Sequence, residues 1–190
     1  MMRLARSVLV GLATIYKIFQ AHFDRALGAA CLDKVRHKGQ NCVFEGDGRI
    51  IDPDKIRIGN DSYIGRNFFI RATGGLYIGS HTHISRNVTL HTVNHNTDAD
   101  VLPYDRTNNA RPIHIGDFVW IGMNCSVLPG VTIGDGAIIG MGTTVSKDVA
   151  AGAIVVGASQ RVVGERDLDK MQRLSQQQKF LKIKNGWASK

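Results

Sequence analysis

Aromatic side chains are scarce, 7% of 190 residues with two Trp and four Tyr. Four Pro and no Gly-X-Y period exclude a collagen-like rod despite 21 Gly. The three cysteines, Cys31, Cys42 and Cys125, cannot all pair within the chain and follow no zinc-ligand spacing. This argues against a disulfide-stapled secreted domain and makes a reducing compartment the simpler reading. No apolar run reaches the roughly 20 residues a bilayer span needs. The start, MMRLAR then SVLVGLATIY, superficially resembles a signal peptide, but Lys17 and then Asp24-Arg25 interrupt it. No lipobox precedes Cys31, because Gly28 stands where an aliphatic residue belongs. Disorder is excluded by a hydrophobic fraction of 43%. What remains is about one domain's worth of chain with an aliphatic, small-residue core.

The formal net charge of +8 sits at the two ends. Residues 1–40 carry seven Lys/Arg against two acids, and residues 161–190 carry eight against three. The middle is slightly acidic. Solvated surface is the plain explanation; attraction to a phosphorylated cofactor, an acidic saccharide or lipid headgroups is the sharper one. No nucleic-acid-binding signature is present, so nucleic acid is not expected as a partner. Leu4, Val8, Leu12, Ile15, Phe19, Phe23 and Leu27 recur every three or four residues, one stripe of an amphipathic helix. That helix either packs on the rest of the protein or lies on a membrane surface through residues 1–27, which Arg3, Arg6 and Lys17 favour.

A six-residue repeat dominates the middle. From Ile115 the chain divides into IGDFVW, IGMNCS, VLPGVT, IGDGAI, IGMGTT and VSKDVA. The first position is always Ile or Val, the second is Gly in four of six, and the fifth is compact. The same phase runs upstream through IGNDSY, IGRNFF, IGSHTH, ISRNVT and LHTVNH, with a two-residue slip around Gly74-Gly75. Such hexads predict short extended pieces separated by bends. Three of them close a triangular coil, and coils stack about 4.8 Å apart. The aliphatic first position points inward, and the glycine is expected to relieve the bend through its tolerance of positive φ.

These hexads resemble the hexapeptide-repeat acyltransferases, most closely the galactoside, maltose and Nod-factor O-acetyltransferases and bacterial polysaccharide O-acetyltransferases. The strings that carry the resemblance are IGRNFF, RNVTLHTVNHNT and FVWIGMNCSVLPGVTIGDGAIIGMGTTVSKDV. It implies a mainly β fold, a left-handed parallel β-helix; the hand comes from the resemblance alone. The expected organisation is an N-terminal amphipathic helical segment over 1–40, the β-helix over 41–163 and a C-terminal helix or tail over 164–190. A loop, 96–112, is extruded from the β-helix.

That loop, NTDADVLPYDRTNNARP, contains no hexad, and loops of this length are usually functional or disordered. It starts directly after His95, at a corner of the coil. His91 is the main competitor for a catalytic role, while His81, His83 and His114 carry no further signal. In the resemblance, His95 takes the place of the catalytic base, although Thr97 stands where relatives carry a second His. The implied chemistry is acetyl transfer from acetyl-CoA to a hydroxyl of a sugar or cell-surface polysaccharide precursor. A neutral imidazole takes the acceptor proton, and an unperturbed imidazole pKa of about 6.5 leaves it mostly neutral near pH 7. A thioester is already activated, so neither a metal nor an acyl-enzyme is required. Cys125, at an inward fifth position, reads as core.

The resemblance further places Trp120, Met123 and Met141 along the thioester and pantetheine arm of coenzyme A, with Ser146, Lys147 and Arg161 nearer its phosphates. Ser159 and Gly164 depart from the relatives' Pro and basic residue near Arg161, which leaves the adenosine end less defined. Asn67 and Arg71 fall in the region that faces the acceptor in relatives. A homotrimer is implied, with His95 of one subunit facing the Trp120 side of the next, in the cytoplasm or at the inner face of the membrane. The alternatives are N-acetylation of an amino sugar, a β-helix scaffold without activity, and a γ-carbonic-anhydrase-like zinc enzyme, against which the histidine spacing argues.

Overall fold

In the computed structural model, residues 2–96, 106–157, 160–165, 167–178, 183–184 and 187–188 are described. Each hexad forms a short strand and a turn, and three close one coil of a parallel β-helix, left-handed as the resemblance implies. Face A stacks His37–Lys38, Ile56–Ile58, Leu76–Ile78, Ile113–Ile115 and Thr132–Ile133. Face B stacks Val43–Phe44, Tyr63–Ile64, His83–Ile84, Trp120–Ile121, Ile138–Ile139 and Ala153–Val156. Face C stacks Gly48–Ile51, Phe68–Arg71, Thr89–His91, Ser126–Val127 and Thr144–Val145. The ladders within these stacks are parallel. Arg161–Glu165 then closes face B antiparallel to Ala153–Val156.

The first positions of the hexads form the core. Ile64, Ile84, Ile121 and Ile139 lie in one column, each at most 1% exposed, and Ile70, Leu90, Val127 and Val145 in another. The compact fifth positions have a polar reason as well as a spatial one. Cys42 Sγ, Ser62 Oγ and Thr82 Oγ1 each donate to the carbonyl of the second-position residue one coil higher, Gly59 (3.0 Å), Gly79 (2.8 Å) and Gly116 (2.8 Å). Cys125 Sγ does the same to Gly140, at 3.1 Å.

Contrary to expectation, the second-position glycine does not serve the bend through positive φ. Within the hexads positive φ falls at fourth positions, among them Asp61 (53°), Asn67 (58°), His81 (55°), Asn87 (59°), Phe118 (59°) and Asn124 (58°). Short polar side chains tolerate this region and carry most of these turns. The second position needs glycine because coils touch there. A Cβ on Gly79 would stand 2.5 Å from the Gly116 carbonyl carbon and 2.6 Å from the Asp117 nitrogen.

The two-residue slip is also located. Partners are 18 residues apart in the upper coils, as in Ile121 and Ile139, and 16 apart at the top, as in Ile139 and Val155, whereas Ile58 pairs with Ile78 at an offset of 20. In all of the lower coils the extra residues fall at the corner between faces C and A. They are the 3-10 turn Pro53–Lys55, the turn around Thr73–Gly75, and the excursion that begins after His91. Hydrogen bonds tie these into one ledge: Lys55 Nζ to the Thr73 carbonyl (2.7 Å), Thr73 Oγ1 to Asp52 (2.6 Å) and the Gly74 amide to Thr92 Oγ1 (2.8 Å).

The N-terminal helix, α1, spans Met2–Asp33. Among the described residues it rests on the coil through its last turns, where Cys31 and, just beyond the helix, Val35 are buried. Residues 9–23 are exposed, so packing on the rest of the chain, one of the two expected fates of this helix, applies to its C-terminal end alone. A second helix, α2, spans Leu168–Gln176, with Asp167 accepting from the Lys170 amide at 2.8 Å as its N-cap.

Candidate active site

His95 ends the strand Val93–His95, which pairs antiparallel with Asn108–Ala110, His95 opposite Asn108. The extruded loop is thus rooted as a two-stranded hairpin on top of the ledge. Its base is fixed by buried Thr92, which donates its amide (3.0 Å) and hydroxyl (2.7 Å) to the Arg71 carbonyl and accepts from the Arg111 amide (2.9 Å). Val93 is fully buried below, while Asn94 and His95 are exposed. The sequence therefore holds a rigid hairpin foot and leaves the His95 ring on the surface. Residues 97–105, the middle of the loop, lie outside the described residues.

Arg71 and His91 are neighbours of this foot. They are register partners on face C, and the His91 ring stacks on Phe69 at 6.0 Å. Burial holds the His91 imidazole below its ordinary pKa, and the positive charge of Arg71 pushes the same way. Arg71 Nε is buried and, among the described residues, meets no hydrogen-bond partner. Of the two residues assigned to the acceptor, Arg71 thus shares the corner of His95. Asn67 lies at the other end of its strand, on the corner between faces B and C, where its amide donates to Asp47 (2.7 Å) and its positive φ accounts for its identity.

Trp120 is on face B, 54% exposed. Met123 and Met141 sit on the corner between faces B and C, linked by the Gly142 amide on the Met123 carbonyl at 2.8 Å; Met141 is 65% exposed. Ser146 and Lys147 follow the last strand of face C and stand exposed on the His95 corner, higher up the coil. Arg161 is exposed beside Gln160, whose Oε1 accepts from the Lys147 amide at 3.3 Å. The residues assigned to coenzyme A therefore fall into two groups. One is on face B and its far corner, with Arg161 in the closing strand of face B, and the other, Ser146 and Lys147, shares the corner of His95. Within one chain His95 and Trp120 are on different sides of the prism.

A row beneath Trp120 was not anticipated. His83 and Tyr63 occupy the same outward column of face B, their rings 5.6 Å apart. The Tyr63 hydroxyl donates to the Glu45 carboxylate, and Arg66 reaches both Asp24 (2.9 Å) and Glu45 (3.7 Å). Burial, then the Glu45 carboxylate, pushes the Tyr63 phenol above its ordinary range, and burial lowers His83, with His81 adding to the effect. The signal was present in the sequence: Tyr63, His83 and Trp120 are all sixth positions of hexads. Cys125 is 1% exposed and its thiol is pushed up by burial, so it offers no nucleophile. Among the described residues, no three His, Cys, Asp or Glu side chains converge as metal ligands.

Residues 112–147 match the bacterial transferase hexapeptide (six repeats) family. The chain is 34% identical over 128 residues to "Putative colanic acid biosynthesis acetyltransferase WcaF" of Escherichia coli, covering 67% of this chain and 68% of that protein. It is 36% identical over 133 residues to the galactoside O-acetyltransferase of Escherichia coli, covering 70% and 65%. Among solved structures, a hexapeptide-repeat acetyltransferase of Vibrio cholerae complexed with acetyl coenzyme A superposes with a TM-score of 0.65 at 26% identity, over 72% of this chain and 75% of that one. A galactoside acetyltransferase in complex with coenzyme A gives 0.63 at 31% identity, over 70% and 67%. The hexad pattern, the triangular coil and these likenesses agree: the chain belongs to the hexapeptide-repeat acetyltransferase family.

Proposed function

We propose that the protein transfers the acetyl group of acetyl-CoA to a hydroxyl of a saccharide, with His95 as general base. The observation that carries this reading is the placement of His95, an exposed imidazole on a hydrogen-bonded hairpin foot at the one corner where the coil is enlarged. The relatives that acetylate galactosides or are assigned to colanic acid biosynthesis support a saccharide acceptor and, more finely, a polysaccharide precursor. Acetyl-CoA is made and used in the cytoplasm, which is where the reaction is placed.

In this reading the acceptor hydroxyl attacks the thioester carbonyl while His95 takes its proton, and the coenzyme A thiolate leaves. No acyl-enzyme forms, in keeping with the burial of Cys125. Lys147 and Arg161 pair with phosphate oxygens of the coenzyme. Because Trp120 and His95 are on different sides of one prism, the site is closed by a neighbouring copy. A threefold ring brings the Trp120 face of one subunit against the His95 corner of the next. Tyr63 and His83 then continue the wall below Trp120, where an acceptor sugar would lie against their rings.

The test is thiol release from acetyl-CoA with a panel of glycosides and amino sugars. Turnover is expected with glycosides, and His95→Ala is expected to lower kcat by about 10²- to 10⁴-fold with an unchanged melting temperature. Full activity in His95→Ala would refute the base assignment. Turnover confined to amino sugars would move the reaction to N-acetylation, and absence of both turnover and coenzyme A binding would leave a scaffold.

A further inference from the structure

Most of the longest element of the chain lies away from this site. α1 meets the coil through one side of its last turns: Asp24 pairs with Arg66 at 2.9 Å, and a Cβ on Gly28 would stand 1.9 Å from the Phe44 carbonyl oxygen. Cys31 and Val35 continue that side, both buried. Towards the N-terminus, Leu12, Ile15, Phe19 and Phe23 are 59%, 65%, 67% and 52% exposed. At about 100° per residue, these four point roughly 150° away from Asp24, Gly28, Cys31 and Val35. A continuous helix cannot rest on the coil by one side and bury the opposite stripe in the same coil.

Charge and width select what covers the stripe. Residues 1–23 contain Arg3, Arg6 and Lys17 and no acid, and the first acid, Asp24, is held by Arg66. Lys17 lies on the side of the helix opposite Phe19. The apolar sector, widened by exposed Leu9, Tyr16 and Ile18, covers roughly half the circumference, broader than the seam of a coiled coil. A wide apolar side with aromatic rings, backed by a basic side, matches a helix lying in a lipid interface. Among the described residues no helix is long and apolar enough to cross a membrane.

We infer that α1 is a surface anchor that lays its Leu12–Phe23 stripe into the headgroup region of a bilayer carrying anionic lipid. It would hold the β-helix at that surface. The inference does not depend on the acceptor or on acetyl transfer.

The experiment is co-sedimentation of the full chain with vesicles of phosphatidylcholine containing about 30 mol% phosphatidylglycerol. Binding is expected to be at least about tenfold weaker on pure phosphatidylcholine and to fall to background in Phe19→Glu. Ile15→Glu serves as a second variant, and elution volume and melting temperature report that each variant is folded. Failure of the unaltered chain to sediment with anionic vesicles overturns the inference, as does equal binding by both folded variants. Equal binding to both vesicle types removes the anionic lipid from it. Vesicle binding that persists in Phe19→Glu while the oligomer dissociates assigns the stripe to contact between copies and equally overturns it.

Discussion

Burial lowers the pKa of two histidines near the site, and this has a measurable consequence. His83 and His91 both have pKa values below the ordinary 6.5 in the folded chain, chiefly through burial. Unfolding raises them to that value, so below it the unfolded chain binds more protons. Stability that is present above about pH 6.5 is therefore lost as the pH falls through 6.5 towards the folded values. Thermal unfolding between pH 7.5 and 5 should show a falling melting temperature, and His83→Gln should flatten part of the fall; an unchanged slope would contradict it. Single residues were unevenly legible in the sequence. His95 stood out because a long non-hexad segment follows it, and that placement needs no knowledge of packing. Tyr63 and His83 did not, because an outward side chain acquires meaning only when stacked coils align it with Trp120. Asn67 drew a functional assignment from a resemblance, whereas its fourth-position turn explains an Asn equally well.

At the scale of the hexad, the fold was legible because one constraint repeats. From Ile58 upward the first positions face the prism core and are aliphatic, so the period survives wherever these coils stack. The glycine rule was legible as a pattern and misread as a cause. Backbone freedom is used at the fourth position, and the second position answers to the next coil. Gly79→Ala is accordingly expected to cost about 1–3 kcal/mol, the range for overpacking, read from denaturant unfolding. A loss below about 0.5 kcal/mol, ordinary for surface changes, would show that the coils do not meet there. The slip near Gly74-Gly75 hid a further regularity, since all the lower-coil insertions fall on one corner and build the ledge under His95. Sequence spacing records that residues were inserted, but which corner receives them depends on how the coil closes.

At the scale of the whole molecule, the two groups of residues assigned to coenzyme A and the base are separated by the prism itself. His95, Ser146 and Lys147 share one corner, and Trp120, Met123 and Met141 occupy another side. In the proposed function a seam between copies would join them; no hexad reports subunit number, so this level rests on the family resemblance alone. Mixing variants tests the seam directly. His95→Ala and Trp120→Ala, each inactive alone, are co-expressed and the assembled protein is assayed for thiol release from acetyl-CoA with a glycoside. In a threefold ring every mixed assembly regains one intact seam, so random mixing should restore roughly one quarter of the unaltered activity. Activity no greater than the mean of the two variants assayed separately would contradict a site shared between subunits.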